Sequence, residues 1–253
     1  MKITFLGTGT SHGVPMIGCD CPVCTSTDPR NQRYRSSLLL EEGDTAIVID
    51  TGYEFRLSMI RAHVKKLDGI LYTHPHSDHL MGLDDIRVFC KGRVLPAYGR
   101  KETMDAVMDK FDYAFKPAFN PNWSTPQLKE HILKPFEYGT IGDITFQAIP
   151  IMHFRMPILG YRFGDFAYLT DVSDIPPESF EALKGVKTIV LGALRDKPHV
   201  AHLTFSHAEE VARKLNVEQC YFTHISHATS YEDINRRFGP LCLSAYDNLS
   251  LEV

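Results

Sequence analysis

No run in the 253-residue chain approaches the roughly 18 consecutive apolar residues of a membrane span, so the sequence predicts no membrane helix. The opening Met1-Lys2-Ile3-Thr4-Phe5-Leu6-Gly7 has too short an apolar part for a secretory signal, and the expectation is a cytoplasmic protein. Charge of one sign is also lacking. A formal net charge of −4 argues against a general nucleic-acid-binding surface, though not against a local basic pocket. The glycine-rich Gly7-Thr8-Gly9-Thr10-Ser11-His12-Gly13 lacks the Gly-Lys-Ser/Thr ending of a phosphate-binding loop and the dinucleotide-binding spacing, so its glycines are read as backbone requirements. Tryptophan occurs once, at Trp123. Only six cysteines are present. Cys90, Cys220 and Cys242 stand apart in apolar surroundings and read as core thiols, whereas Cys19, Cys21 and Cys24 form a C-x-C-x2-C run that in a cytosolic chain points to metal rather than disulfides. Three thiolates leave a tetrahedral zinc one ligand short, and the fourth must come from elsewhere.

What the chain has in abundance is histidine in one place. Thr73-His74-Pro75-His76-Ser77-Asp78-His79 follows a short apolar stretch, residues 69–72, that reads as a buried strand. Pro75 excludes a regular helix across the run. Imidazoles and a carboxylate crowded onto a loop at a strand end suit a divalent metal better than packing.

Further strands are predicted at residues 2–6, 36–40, 45–50, 95–98, 144–151, 159–163, 166–170, 188–191, 219–222 and 249–253. Residues 41–44 are read as a turn, and Gly164-Asp165 as a hairpin loop. Helices are predicted over 53–66, 101–110, 178–184, 206–215 and 231–237. Residues 80–88 read as a short helix or turn, and Ser206 with Glu209 reads as a capping box. Residues 111–135, with Pro117, Pro121, Pro126 and Pro135, sustain no regular element and read as a lid, a dimer arm or a packed aromatic loop. Asp50, His74, His153, Asp171 and His224 all fall at ends of predicted strands, an arrangement that converges on one sheet edge.

The pattern His-x-His-x-Asp-His at His74, His76, Asp78 and His79, with Asp50, His153, Asp171 and His224 in order across the chain, resembles the metallo-β-lactamase superfamily. The resemblance implies an α+β fold, a four-layer αβ/βα sandwich, as a single domain over residues 1–253. It implies two divalent metals: one on His74, His76 and His153, the other on Asp78, His79 and His224, with Asp171 bridging and Asp50 orienting the ligand loop. A narrower likeness covers Gly7-Thr8-Gly9-Thr10, Gly13-Val14-Pro15, Gly18-Cys19-x-Cys21-x2-Cys24 and Tyr34-Arg35-x-Ser37. This is similar to the phosphoribosyl cyclic phosphate phosphodiesterases of the carbon–phosphorus lyase pathway. It implies a structural zinc on Cys19, Cys21, Cys24 and His227, and matches His202 to an extra histidine of that branch. Coenzyme-biosynthesis relatives of the pyrroloquinoline-quinone type share part of the cysteine pattern.

The expectation is a binuclear metal-dependent hydrolase that cleaves a small, cyclic phosphodiester through a hydroxide activated by two metals, zinc, manganese or iron. Asp78 and His202 are the residues assigned to catalysis. His202 is the candidate general acid or anion stabiliser because an imidazole sits near its pKa at working pH. Arg35, Arg155 and Arg162 are candidate phosphate clamps, and His12, His63, His131, His199 and His207 have no motif and read as structural or solvated. The expected partner is the phosphodiester substrate and a homodimeric second copy, with no membrane and no nucleic acid. The alternatives are an RNA-processing nuclease of ribonuclease Z type and a lactone or thioester hydrolase on the same core. A degenerate member used only for assembly is disfavoured because every metal position is intact.

Overall fold

The computed structural model describes residues 1–117 and 123–253. The strands are β1 (Lys2–Gly7), β2 (Ser37–Glu42), β3 (Thr45–Ile49), β4 (Gly69–Leu71), β5 (Leu95–Gly99), β6 (Leu128–Ile132), β7 (Tyr138–Ile141), β8 (Ile144–His153), β9 (Met156–Phe163), β10 (Phe166–Leu169), β11 (Thr188–Gly192), β12 (Gln219–Thr223), β13 (Cys242–Ser244) and β14 (Ser250–Glu252). They form two seven-stranded sheets, ordered β14-β1-β2-β3-β4-β5-β6 and β13-β12-β11-β10-β9-β8-β7. The helices are α1 (Phe55–Arg61), α2 (Ser77–Leu80), α3 (Lys101–Lys110), α4 (Pro177–Ala182), α5 (Phe205–Leu215) and α6 (Tyr231–Phe238).

The apolar composition of the central strands follows from burial on both faces. In β3, Ile47 and Ile49 point between the sheets, where they meet Leu38, Leu40, Tyr161 and Tyr168, while Ala46 and Val48 point outward to Phe55, Met59 and Met104 of α1 and α3. In β11 the inward residue is Val190, and Ile189 and Leu191 pack against Phe205, Ala208 and Ile234 of α5 and α6. Period-two alternation thus feeds two cores from one strand, and the layers read helix, sheet, sheet, helix. This is the expected four-layer sandwich.

Strand direction decides where loops meet. β3, β4, β5 and β6 run parallel. β10, β11, β12 and β13 also run parallel, and β8 shares their direction through two antiparallel pairings with β9. The segments after β3, β4, β8, β10 and β12 therefore leave the sheets at their C-terminal ends and carry the predicted ligands.

Several local expectations are corrected. Residues 111–135 hold a 3₁₀ turn over Asp112–Phe115 and the strand β6, which pairs with β5 from Leu128 to Ile132. The part of that segment at 118–122, including Pro121, lies outside the described residues. The helix expected over 53–66 is only Phe55–Arg61: Ala62 caps it, His63 turns to φ 55°, and Ile60 points to solvent. Glu41 and Glu42 continue β2, so the turn is left to Gly43-Asp44. The cap of α5 is Thr204, whose hydroxyl accepts from His207 N–H, because Thr204 keeps the extended backbone (ψ 166°) and Ser206 is already inside the helix. β7 and β13 carried no predicted strand. Among the described residues no helix is long and apolar enough to cross a membrane.

Candidate metal centre

Three chemistry-bearing residues leave a strand with left-handed backbone: Asp50 (φ 61°) after β3, Asp171 (φ 51°) after β10 and His224 (φ 57°) after β12. For a residue with a Cβ this costs about 1–2 kcal/mol, and it recurs where a strand end is turned sharply for function. Space is made by glycine in one case: a Cβ on Gly192 of β11 would stand 2.7 Å from Asp171 N. Gly52 does the same for the histidine run, since a Cβ there would meet Asp78 O at 2.5 Å.

These turns bring together two donor sets whose ligand atoms lie within 4.8 Å of one another. One comprises His74, His76, His153 and Asp171, the other Asp78, His79, Asp171 and His224. Asp171 belongs to both. Its Oδ1 is 2.9 Å from His224 Nδ1 and 3.4 Å from His79 Nε2, and its Oδ2 is 3.7 Å from His74 Nε2. His76 is the exposed member, so the first set opens to solvent.

Hydrogen bonds fix which ring nitrogens face inward. Fully buried Asp50 accepts from Thr73 N–H at 2.9 Å, from Thr73 Oγ1 at 2.7 Å and from His79 Nδ1 at 2.7 Å. Having donated its proton to Asp50, Thr73 Oγ1 accepts from His74 Nδ1 at 2.9 Å. One carboxylate therefore sets the tautomers of His79 and, through a hydroxyl, of His74, leaving both Nε2 atoms for the cluster. His153 Nδ1 donates toward the carbonyls of Asp171 and Ala201, at 2.8 and 2.9 Å, with the same result. His224 Nε2 lies 3.3 Å from Thr10 Oγ1, and its Nδ1 faces Ser36 Oγ at 3.3 Å as well as Asp171.

Charge follows the same division. Burial pushes Asp78 and Asp171 up, but His79 beside Asp78, and His224 with His79 beside Asp171, outweigh it and hold both carboxyls below their usual range. Burial works against a charged His79 too, yet Asp78, Asp171 and Asp50 hold it well above the usual imidazole value. His74 is driven down by burial and then by His79, and His76 by burial and then by His153. The carboxylate-rich half thus demands positive charge, and the imidazole-rich half offers lone pairs. His79 Nε2 tests the fit. It is buried and has no hydrogen-bond partner, although Asp78 Oδ2 and Asp171 Oδ1 approach within 3.3 and 3.4 Å. A ring nitrogen aimed between two carboxylates and bonded to neither suits a cation at that point. The donor sets fit divalent metals.

A third cluster, Cys19, Cys21, Cys24 and His227, lies apart from these two. His227 Nδ1 is 3.4 Å from Cys19 Sγ and 3.3 Å from Cys21 Sγ. Backbone N–H groups of Cys24 and Met16 point at the sulfurs of Cys21 and Cys24. The hydrogen bond to His227 draws the Cys21 thiol down to about 6, while burial pushes Cys24 up to about 11. Three sulfurs and an imidazole within 4.8 Å fit a closed zinc site. Cys90, Cys220 and Cys242 are buried core thiols, as expected.

His202 stacks on His224 at 4.8 Å and 24°, and its Nδ1 is a buried atom without a partner. Burial first, then the facing His224, push its pKa down to about 3. That direction runs against the expectation of an imidazole near its pKa at working pH. Two of the arginine clamps are corrected as well. Arg35 is paired with Glu54 and donates to Ser11 O, and Arg162 donates to the carbonyls of Gly164, Ala182 and Lys184, whereas Arg155 lies over the Phe154 ring at 5.1 Å. Thr73, Thr10 and Ser36 escaped the sequence reading, since nothing marks a hydroxyl residue until its partner is placed. A larger cavity of about 660 Å³, lined by Lys91, Arg93 and Thr125 among others, contains none of the cluster residues.

A family model described as "Beta-lactamase superfamily domain" matches residues 45–225. A solved structure described as a new diphosphatase from the PhnP family is 39% identical, with a TM-score of 0.92 over 100% of this chain and 97% of that one. The octanoyltransferase of Porphyromonas gingivalis is 37% identical over 252 residues, covering 98% of this chain but 51% of that protein, so the chain spans about half the length of that relative. A ribonuclease Z of Mycobacterium sp. (strain KMS) is 25% identical, covering 88% of this chain and 84% of that protein. By the domain match over most of its length, and by its identity to the PhnP-family structure from end to end, the chain belongs to the β-lactamase superfamily and, within it, to the PhnP family of hydrolases.

Proposed function

We propose that this hydrolase cleaves a small phosphodiester, with a cyclic ribose phosphate as the preferred class, and that His74, His76, His153, Asp78, His79, His224 and the shared Asp171 hold two divalent metals. The observation that carries the reading is the pair of donor sets joined through Asp171. Divalent metals held there supply Lewis-acid activation of water and neutralise charge at a phosphoryl group. The chain's own residues do the rest. Asp50 fixes the ligand tautomers, His76 leaves the cluster open on one side, and His202 donates an N–H toward a phosphoryl oxygen. Asp171 makes the active cluster an all-nitrogen and oxygen site, so zinc, manganese and iron compete for it, whereas the thiolate cluster selects zinc. The PhnP-family diphosphatase supports phosphorus-centred hydrolysis. The octanoyltransferase does not carry acyl transfer over, because the match leaves about half of that protein uncovered.

The test is a substrate panel run with zinc and with manganese: bis-(p-nitrophenyl) phosphate, ribose cyclic phosphates, 2′,3′-cyclic nucleotides, a precursor tRNA and lactones. Turnover of the cyclic phosphates and the aryl diester is expected. Hydrolysis of lactones without any phosphodiester would overturn the reading, and selective cleavage of the precursor tRNA would replace it with a ribonuclease Z-like one.

A further inference from the structure

Of the exposed large apolar side chains among the described residues, Phe154 alone stands on a backbone of positive φ, at 55°. It is the first of the two residues that join β8 to β9, since His153 pairs with Met156. Positive φ at the first loop residue and not at the second is the pattern of a type II′ turn, whose first position suits glycine. A phenylalanine there carries the cost already met at Asp50, Asp171 and His224. Burial does not offset it, because the ring is 51% exposed.

Two hydrogen bonds tie the hairpin down. Phe154 N–H donates to Ser173 Oγ at 2.8 Å, and Ser173 Oγ donates to Met152 O at 2.9 Å, so the turn is joined to the segment that follows Asp171. Phe154 is the next residue after the metal donor His153, with their Cα atoms about 3.8 Å apart. The His153 ring meets that of His76, the exposed member of the first donor set, at 5.0 Å. Phe154 therefore belongs to the rim on the side where that set opens. Arg155, which has no carboxylate partner among the described residues, lies over the Phe154 ring with its Cζ 5.1 Å from the centroid. A guanidinium over one face leaves the other for a planar group. A strained and exposed aromatic beside a metal centre, with no packing role, points to a ligand.

We propose that Phe154 is a specificity-determining residue whose ring stacks on the base of a nucleotide substrate. The proposal rests on the reading that the scissile group is a phosphodiester held at the metal centre, and it adds a preference for cyclic nucleotides over sugar phosphates without a base. Stacking on an aromatic side chain tolerates any base, because every base has a π-face. It also accounts for a phenylalanine at a position where the backbone suits glycine.

The experiment compares the metal-loaded wild-type protein with Phe154→Gly on a matched pair: 2′,3′-cyclic AMP and ribose 2,3-cyclic phosphate, which lacks the base. In the wild type the base should lower KM by about 5- to 100-fold, the value of one stacked base. In Phe154→Gly the two KM values should converge, and Phe154→Tyr should keep them apart. Phe154→Gly should hold the wild-type urea midpoint or exceed it, because relief of the backbone strain offsets the greater freedom of glycine in the unfolded chain. Equal KM values in the wild type, or a difference unchanged in Phe154→Gly, overturns the proposal. A lower urea midpoint in Phe154→Gly assigns the ring to packing and overturns it too. If neither substrate is cleaved, the phosphodiester reading itself has failed. The stacking is then tested by calorimetric binding of AMP against ribose 5-phosphate. A preference for AMP of at least about fivefold that is lost in Phe154→Gly supports it, and no preference, or one that survives in Phe154→Gly, overturns it.

Discussion

Asp50 accepts three hydrogen bonds while fully buried, and two of its donors are the groups that orient His79 and His74. An asparagine there would keep the shape but present an N–H₂ where one ring or hydroxyl now donates, so one histidine would lose its tautomer preference. Asp50→Asn should weaken active-site metal binding by about 10- to 100-fold, measured by chelator competition, without changing the affinity of the cysteine cluster for zinc. At this scale the sequence was legible where residue types are rare and crowded: His74, His76, Asp78 and His79, or three cysteines within six positions. It was silent on Thr73, Thr10 and Ser36, because a hydroxyl gains its role only from a partner 23 to 214 positions away. It misjudged Arg35 and Arg162 for the same reason, since their partners decide whether the charge is spent.

Among the elements, those buried on two faces or amphipathic were readable. β3, β4, β11 and α3 lie where their apolar patterns put them, and the β9–β10 hairpin turns at Gly164 with φ 56°. β6 and β7 were not readable. Each is an edge strand, and only Leu128 in β6 and only Ile141 in β7 are buried, so neither has an alternating signal. Both are strands because a neighbour supplies hydrogen bonds, which is a tertiary cause. The cap of α5 was misplaced by two residues because Ser206 and Thr204 are equally good caps on paper, and only the extended backbone at Thr204 separates them. Thr204→Ala should therefore destabilise the protein by about 1 kcal/mol in urea titration, whereas Ser206→Ala, whose residue is exposed inside the helix, should change stability by less than about 0.5 kcal/mol.

Across the whole molecule, the strand-end positions of Asp50, His74, His153, Asp171 and His224 implied convergence at one sheet edge, and the four-layer sandwich came from the family resemblance; strands of one direction in each sheet bring these ends together. The sequence did not reveal how the first sheet is tied at its opposite edge. Asp68 does this: it accepts from Ala46 N–H at 3.0 Å, from Arg93 at 2.9 Å, and lies 3.4 Å from Lys66. Burial raises its carboxyl, but the Ala46 N–H, Arg93 and Lys66 outweigh that and hold it below the usual range. A folded-state value below the unfolded one, about 3.9, gives stability that is present above that pH and is lost as the pH falls through the folded value. Asp68→Asn should thus lower the unfolding free energy measured by urea titration at pH 7, by no more than about 1 kcal/mol given the exposed cations. The gap from wild type should narrow as the pH falls below the unfolded carboxylate value. A gap that stays constant over that range would assign the effect to packing.

The most direct test of the account is the turnover of bis-(p-nitrophenyl) phosphate as metal-stripped protein is titrated with zinc or manganese, with bound metal counted alongside. The account predicts no turnover at the start and a plateau once two metals per chain are bound in addition to any held by Cys19, Cys21, Cys24 and His227. Asp171→Ala should fail to reach the plateau at any loading. Full turnover by protein without bound metal would contradict it.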